Sequence, residues 1–248
     1  MGKFNIEYYL NSLPKNTTKI DISCKGVTYL PDITRFTSLE VLDCDDNYLT
    51  SLPPLPESLL YLSCERNKLR SLPLLPENLQ YLYCSYNLLT CLPLLPASLL
   101  YLYCMKNMLT SLPPLPASLI HLYCTGNKLT YLSAFPANLQ NLFCGNNQLT
   151  CLHMLPENLN GLCLDFNPIY KIINNNNWKI IRQKLKIINS FRHLYYHLKF
   201  KKQFRFLLWE KVRKHKIETK YNPKYLIENL NEDIDLDTVL INWTNDAN

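Results

Sequence analysis

The sequence repeats itself every twenty residues, and that period constrains the fold more than any other feature of the chain. Leucine recurs at Leu39, Leu59, Leu79, Leu99, Leu119, Leu139 and Leu159, with a second ladder at Leu42, Leu62, Leu82, Leu102, Leu122, Leu142 and Leu162. Asparagine recurs at Asn47, Asn67, Asn87, Asn107, Asn127, Asn147 and Asn167, and proline at Pro56, Pro76, Pro96, Pro116, Pro136 and Pro156. The unit reads L-x-x-L-x-C-x-x-N-x-L-T-x-L-P-x-L-P-x-x in seven copies, the first starting at residue 39. A degenerate copy of 22 residues precedes them, with Ile20, Ile22, Val27, Leu30 and Pro31 in phase. A unit this short cannot bury its apolar face alone, so the copies must stack on one another.

Each half of the unit has its own physical reading. In the L-x-C half, period two turns Leu62 and Cys64 inward and Tyr61, Ser63 and Glu65 outward. Each copy is then one short strand, and the copies stack as a parallel sheet with strands about 4.8 Å apart. The phased asparagine is expected to bond the turn backbone of its own and the next copy, satisfying groups the ladder leaves over. Proline fixes φ and removes a donor, so the L-P-x-L-P half is neither helix nor central strand. It should run as extended, polyproline-like chain on the convex side. The expected fold is a β-rich solenoid, a curved parallel sheet with an extended convex side, followed by a small α-helical C-terminal region. The expected divisions are an N-terminal cap at 1–16, a solenoid of about eight repeats at 17–170, and a helical cap with a charged tail at 171–248.

The unit resembles the leucine-rich repeat. Its short L-P-x-L-P form is similar to that of effectors secreted by bacterial type III systems, over residues 17–169. The whole chain resembles leucine-rich-repeat proteins of giant DNA viruses. The strand cysteine, the Asn/Lys/Ile/Tyr-rich tail and the ending D-L-D-T-V-L-I-N-W carry that second resemblance. Some of the bacterial effectors add a large ubiquitin-ligase domain with a catalytic Cys. Here Cys163 is the last cysteine and residues 171–248 have no room for such a domain, so ligase activity is not expected.

Ten cysteines suggest chemistry until their phase is considered. Cys44, Cys64, Cys84, Cys104, Cys124 and Cys144 form one ladder, and Leu164 takes the seventh place. A site that accepts Leu for Cys wants a small apolar side chain, and buried free cysteine behaves as one. The alternative, a metal site, would need paired spacings such as C-x₂₋₄-C, which the chain lacks. Cys163, on the concave face, and Cys24, near its rim, are the better candidates for reactive thiols. The N-terminal MGKFNIEYYL lacks a basic-then-apolar leader pattern, and no run approaches 18 apolar residues. An intracellular, reducing, cytosol-like compartment is therefore expected, which is host cytoplasm if the viral resemblance holds.

The outward strand positions form columns. The first reads Val41, Tyr61, Tyr81, Tyr101, His121, Asn141, Gly161, and the second Asp43, Ser63, Tyr83, Tyr103, Tyr123, Phe143, Cys163. A third reads Asp45, Glu65, Ser85, Met105, Thr125, Gly145, Asp165. The middle of the concave face is thus paved with aromatics, and Asp43, Asp45, Asp46 and Glu65 make one end acidic. Tyrosine offers apolar area, a hydrogen-bonding tip and few rotamers to freeze, so this face is the candidate for a protein partner. The alternative is that stacked rings simply stabilise neighbouring copies. Single-stranded nucleic acid also stacks on aromatics, but few cations lie among these columns.

Charge is segregated along the chain: residues 1–170 carry −2, residues 171–220 carry +13 and residues 221–248 carry −5. Trp178, Ile181, Leu185 and Ile188 recur at helical spacing, and a helix there would close the open end of the solenoid. Beyond it, Lys199, Lys201, Lys202, Arg205, Lys211, Arg213, Lys214 and Lys216 interleave with Phe200, Phe204, Phe206 and Trp209. That patch reads as neutralised by the acidic tail, or as a site for nucleic acid, an anionic membrane or an acidic protein, within a basic helical segment at 190–220. His193 and His197 stand one helical turn apart without a third metal ligand. No Gly-rich phosphate loop, H-E-x-x-H or G-x-S-x-G motif occurs. The function expected is a non-catalytic protein-interaction scaffold without cofactor or metal, with binding through the basic segment as the alternative.

Overall fold

The computed structural model describes residues 4–173 and 180–190. Eight three-residue strands follow one another: β1 (Lys19–Asp21), β2 (Val41–Asp43), β3 (Tyr61–Ser63), β4 (Tyr81–Tyr83), β5 (Tyr101–Tyr103), β6 (His121–Tyr123), β7 (Asn141–Phe143) and β8 (Gly161–Cys163). They form one parallel sheet in chain order. Equivalent positions pair from strand to strand, as Tyr81 with Tyr101 and Leu82 with Leu102. Helix α1 (Ile6–Ser12) precedes the sheet and α2 (Tyr170–Ile173) follows it. The chain divides into two compact units, Met1–Asn189 and Ser190–Asn248.

The expected inward phase of leucine and cysteine holds from β2 to β7. The Leu of every second-ladder position points into a core it shares with the phased cysteines, and from β2 to β7 both are fully buried. The cysteines remain thiols, and burial pushes Cys44, Cys64, Cys84 and Cys104 well above the usual thiol range. Cys44 Sγ donates to the Ser63 carbonyl at 3.1 Å, so even the weak S–H donor finds a partner in the next strand. The backbone ladder continues past the strand, where Cys64 N–H donates to Tyr83 O at 2.8 Å. The proline-rich half is neither helix nor strand in any repeat.

The asparagine ladder reaches backward rather than forward. Asn67 Oδ1 accepts from Leu49 N–H at 2.9 Å, and its Nδ2 donates to Cys44 O at 2.9 Å, both in the preceding copy. The same Nδ2 also serves Cys64 O and Glu65 O of its own turn. The turn curls back over the strand already laid down, so the groups left unpaired there belong to the earlier repeat. The residue before each asparagine takes the left-handed conformation: Asp46, Arg66, Tyr86, Lys106, Asn146 and Phe166 have φ between 51° and 56°, and Gly126 has φ 73°. Glycine is the default at such positions, and only one repeat uses it.

Both ends of this unit are covered. In α1, Asn5 caps the helix by accepting from Tyr8 N–H at 3.0 Å, and Ile6 and Leu10 enter the core. Residues 180–190 are helical, with Ile181 and Leu185 in the same core. Arg182 donates from its guanidinium to Pro156 O at 2.8 Å, and Asn189 donates to Leu152 O at 3.1 Å. The helix expected from Trp178 to Ile188 therefore packs on the last repeats where it is described. Trp178 lies outside the described residues, as does all of 191–248.

Candidate functional site

The parallel register brings the aromatic positions of the first two columns together. In the first, Tyr81 and Tyr101 stack with centroids 4.9 Å apart, and Tyr101 stacks on His121 at 4.6 Å. In the second, centroids lie 4.7 Å apart from Tyr83 to Tyr103, 4.3 Å from Tyr103 to Tyr123 and 4.6 Å from Tyr123 to Phe143. Tyr61 joins both columns, 6.0 Å from Tyr81 and 5.2 Å from Tyr83. Beyond Tyr61 these spacings match the interstrand distance, so the rings inside each column spend their faces on their neighbours and turn their edges to the solvent. All eight rings are half-buried. Burial pushes the phenols of Tyr61, Tyr83 and Tyr103 upward, so they stay protonated at neutral pH and can donate.

His121 is held neutral, because burial lowers its basicity. Its Nδ1 lies 2.7 Å from Asn141 Nδ2, which donates to it, leaving the ring proton on Nε2. The columns stop at β8. A Cβ on Gly161 would collide with Asn141 Oδ1 and sit 3.3 Å from a Phe143 ring carbon. Only glycine leaves room for the Asn141 amide there.

The opposite end is acidic and tightly bonded. Asp45 accepts from Ser63 Oγ at 2.7 Å and from Glu65 N–H at 2.6 Å, and Asp43 accepts from Asp45 N–H at 3.1 Å. Burial outweighs those bonds and, with Asp43 and Glu65 adding repulsion, raises the Asp45 carboxyl to about 6. Ser63, expected to face outward, is buried beneath this cluster. Among the described residues the one ion pair joins Arg66 to Asp46 at 3.9 Å, so no cation answers Asp43, Asp45 or Glu65.

The cations of the seven regular repeats stand elsewhere. Arg66, Lys68, Arg70, Lys106 and Lys128 all fall in the turn and chain just after a strand. Lys68 stands over the Tyr48 ring at 5.1 Å and Arg66 over Tyr86 at 5.0 Å. Sequence reasoning passed over this edge, although Arg66 and Lys106 share one phase of the repeat and Lys68 and Lys128 another. The basic patch at Lys199, Lys201, Lys202, Arg205, Lys211, Arg213, Lys214 and Lys216 lies outside the described residues, as do His193 and His197. Among the described residues no group of His, Cys, Asp or Glu could hold a metal ion. None of their helices is long and apolar enough to cross a membrane.

No protein-family model matches the chain, and no curated protein does. Solved structures do. YopM from Yersinia enterocolitica WA-314 is 40% identical over 63% of this chain, with a TM-score of 0.61. YopM from Yersinia pestis, a leucine-rich effector protein, is 33% identical over 60% of it, with a TM-score of 0.58. The leucine-rich-repeat domain of a Shigella effector is 35% identical over 62%, with a TM-score of 0.53. This chain spans 34% and 43% of the two YopM chains and 66% of the Shigella domain. The parallel sheet, its phased leucines and these likenesses agree: the described residues form a leucine-rich-repeat solenoid.

Proposed function

We propose that the protein is a non-catalytic scaffold that binds another protein on the aromatic concave face. The observation that carries this reading is the pair of ring columns, Tyr61–Tyr81–Tyr101–His121 and Tyr83–Tyr103–Tyr123–Phe143, which no element among the described residues covers. Stacking accounts for the ring faces but not for the choice of tyrosine, whose hydroxyls a packing role does not need. A surface of ring edges and phenol donors on a rigid sheet loses little entropy on binding, which suits protein recognition. It suits nucleic acid poorly, because bases need ring faces that are already occupied.

The likeness to giant-virus proteins rests on sequence motifs alone, and with it the idea of a host protein as the partner. Binding of nucleic acid or anionic surfaces through residues 190–220 rests on composition alone. The test is affinity capture from a host lysate with the wild type, with Tyr81→Ala/Tyr101→Ala/Tyr103→Ala and with the matching Phe triple. The reading expects partners held by the wild type to be lost by the Ala triple and weakened by the Phe triple, with circular dichroism unchanged. The same partners on all three folded proteins would overturn it.

A further inference from the structure

The aromatic columns and the acidic end meet at Tyr61. Its neighbours in ring contact, Tyr81 and Tyr83, both lie in the following strand. On the other side its register partner is Val41, so no ring of the preceding strand covers it. The charges of Asp43, Asp45 and Glu65 bear on its phenol. The hydrogen bonds that reach the first two carboxylates come from Ser63 Oγ and the amides of Asp45 and Glu65, all neutral donors. The cations of the seven regular repeats are on the turn edge after the strands, two of them over other rings, and Lys19 in β1 makes no ion pair with these carboxylates. Among the described residues, this end of the face therefore presents a ring with no second ring on its β2 side, beside three carboxylates without an ion-pair partner, and the middle presents apolar ring edges.

A guanidinium or ammonium group answers all of these features, because it pairs with carboxylates and is attracted to a ring face. We propose that the face binds an extended, basic segment of a partner protein. In this arrangement, which rests on the concave-face reading above, an Arg or Lys side chain seats against Tyr61 among Asp43, Asp45 and Glu65. Apolar or aromatic side chains of the same segment lie across Tyr81, Tyr101 and Tyr103. Charge complementarity then sets the direction of the segment along the sheet, and the rings supply contact area.

The probe is a phage-displayed library of random dodecapeptides panned on the full chain, followed by fluorescence polarisation of the enriched peptides. The expected peptides carry Arg or Lys beside Leu, Phe, Tyr or Trp. Asp43→Asn/Asp45→Asn/Glu65→Gln should weaken them about tenfold or more, and raising the salt from about 50 to 200 mM should weaken them too. Enrichment of peptides without basic residues, no enrichment, or equal affinity for the carboxamide variant would overturn the proposal. Peptides that ignore the carboxamide variant but need Tyr81 and Tyr103 would leave the concave-face reading standing. Peptides indifferent to both variants would remove both.

Discussion

Asn107 shows how one side chain closes a repeat. Its Oδ1 accepts from Leu89 N–H at 3.0 Å, and its Nδ2 donates to Cys84 O, Cys104 O and Met105 O. Replacing it with Ala orphans the buried Leu89 N–H, while Cys84 O and Cys104 O each lose one donor and keep Asn87 and Asn127, at about 1–3 kcal/mol for the set. Asp should do no better, because a carboxylate cannot donate to those carbonyls. Urea titration checks this, with a lower midpoint expected for Asn107→Ala and Asn107→Asp alike. Asp45 has the opposite character, a residue whose charge strains the fold. It ionises near 3.8 when unfolded but at about 6 when folded, so between those values the folded chain binds more protons. Its contribution to stability is therefore full at low pH and is lost as the pH rises through 6. Asp45→Asn should melt higher than the wild type at pH 7.5 and converge with it near pH 4; thermal melts at the two values decide, and a lower melting point at pH 7.5 contradicts the assignment.

At the scale of elements, the strand ladder and the ring ladder are one structure, since the same register builds both. Tyr103 lies 4.7 and 4.3 Å from its two ring neighbours, whereas Tyr61 is tilted against its own two at 5.2 and 6.0 Å. Each aromatic pair contributes about 0.5–1.5 kcal/mol beyond burial, so Tyr103→Ala should destabilise more than Tyr61→Ala. Equal losses in urea titrations would mean that the stack adds nothing to stability. The strands themselves were legible, because period two within a repeat and period twenty between repeats leave one register that buries both Leu82 and Cys84. The direction of the asparagine bonds was not legible, since spacing alone allows either neighbour, and only the path of the turn decides it. The covering of the ring faces was not legible either, because rotamers set it. The sequence placed Tyr83, Tyr103 and Tyr123 in one column, and the structure added that they face each other before they face a partner.

Across the Met1–Asn189 unit, stability is a sum of repeat and interface contributions, so its ends matter as much as its middle. Helix α1 and residues 180–190 extend the core at the two ends through Ile6, Leu10, Ile181 and Leu185. Between them, acids that have no ion-pair partner among the described residues gather at one end of the concave face, and the cations of the seven regular repeats keep to the turn edge. The most direct test of the central claim is a modification footprint of the tyrosines. Tetranitromethane nitration of the full chain, mapped by mass spectrometry with and without a captured partner, reports each ring separately. The account predicts that the partner protects Tyr81, Tyr101, Tyr103 and Tyr123 while Tyr8, Tyr29 and Tyr131, exposed at 77%, 51% and 52%, react as before. Protection of Tyr8, Tyr29 or Tyr131 with the four concave rings unchanged would contradict it.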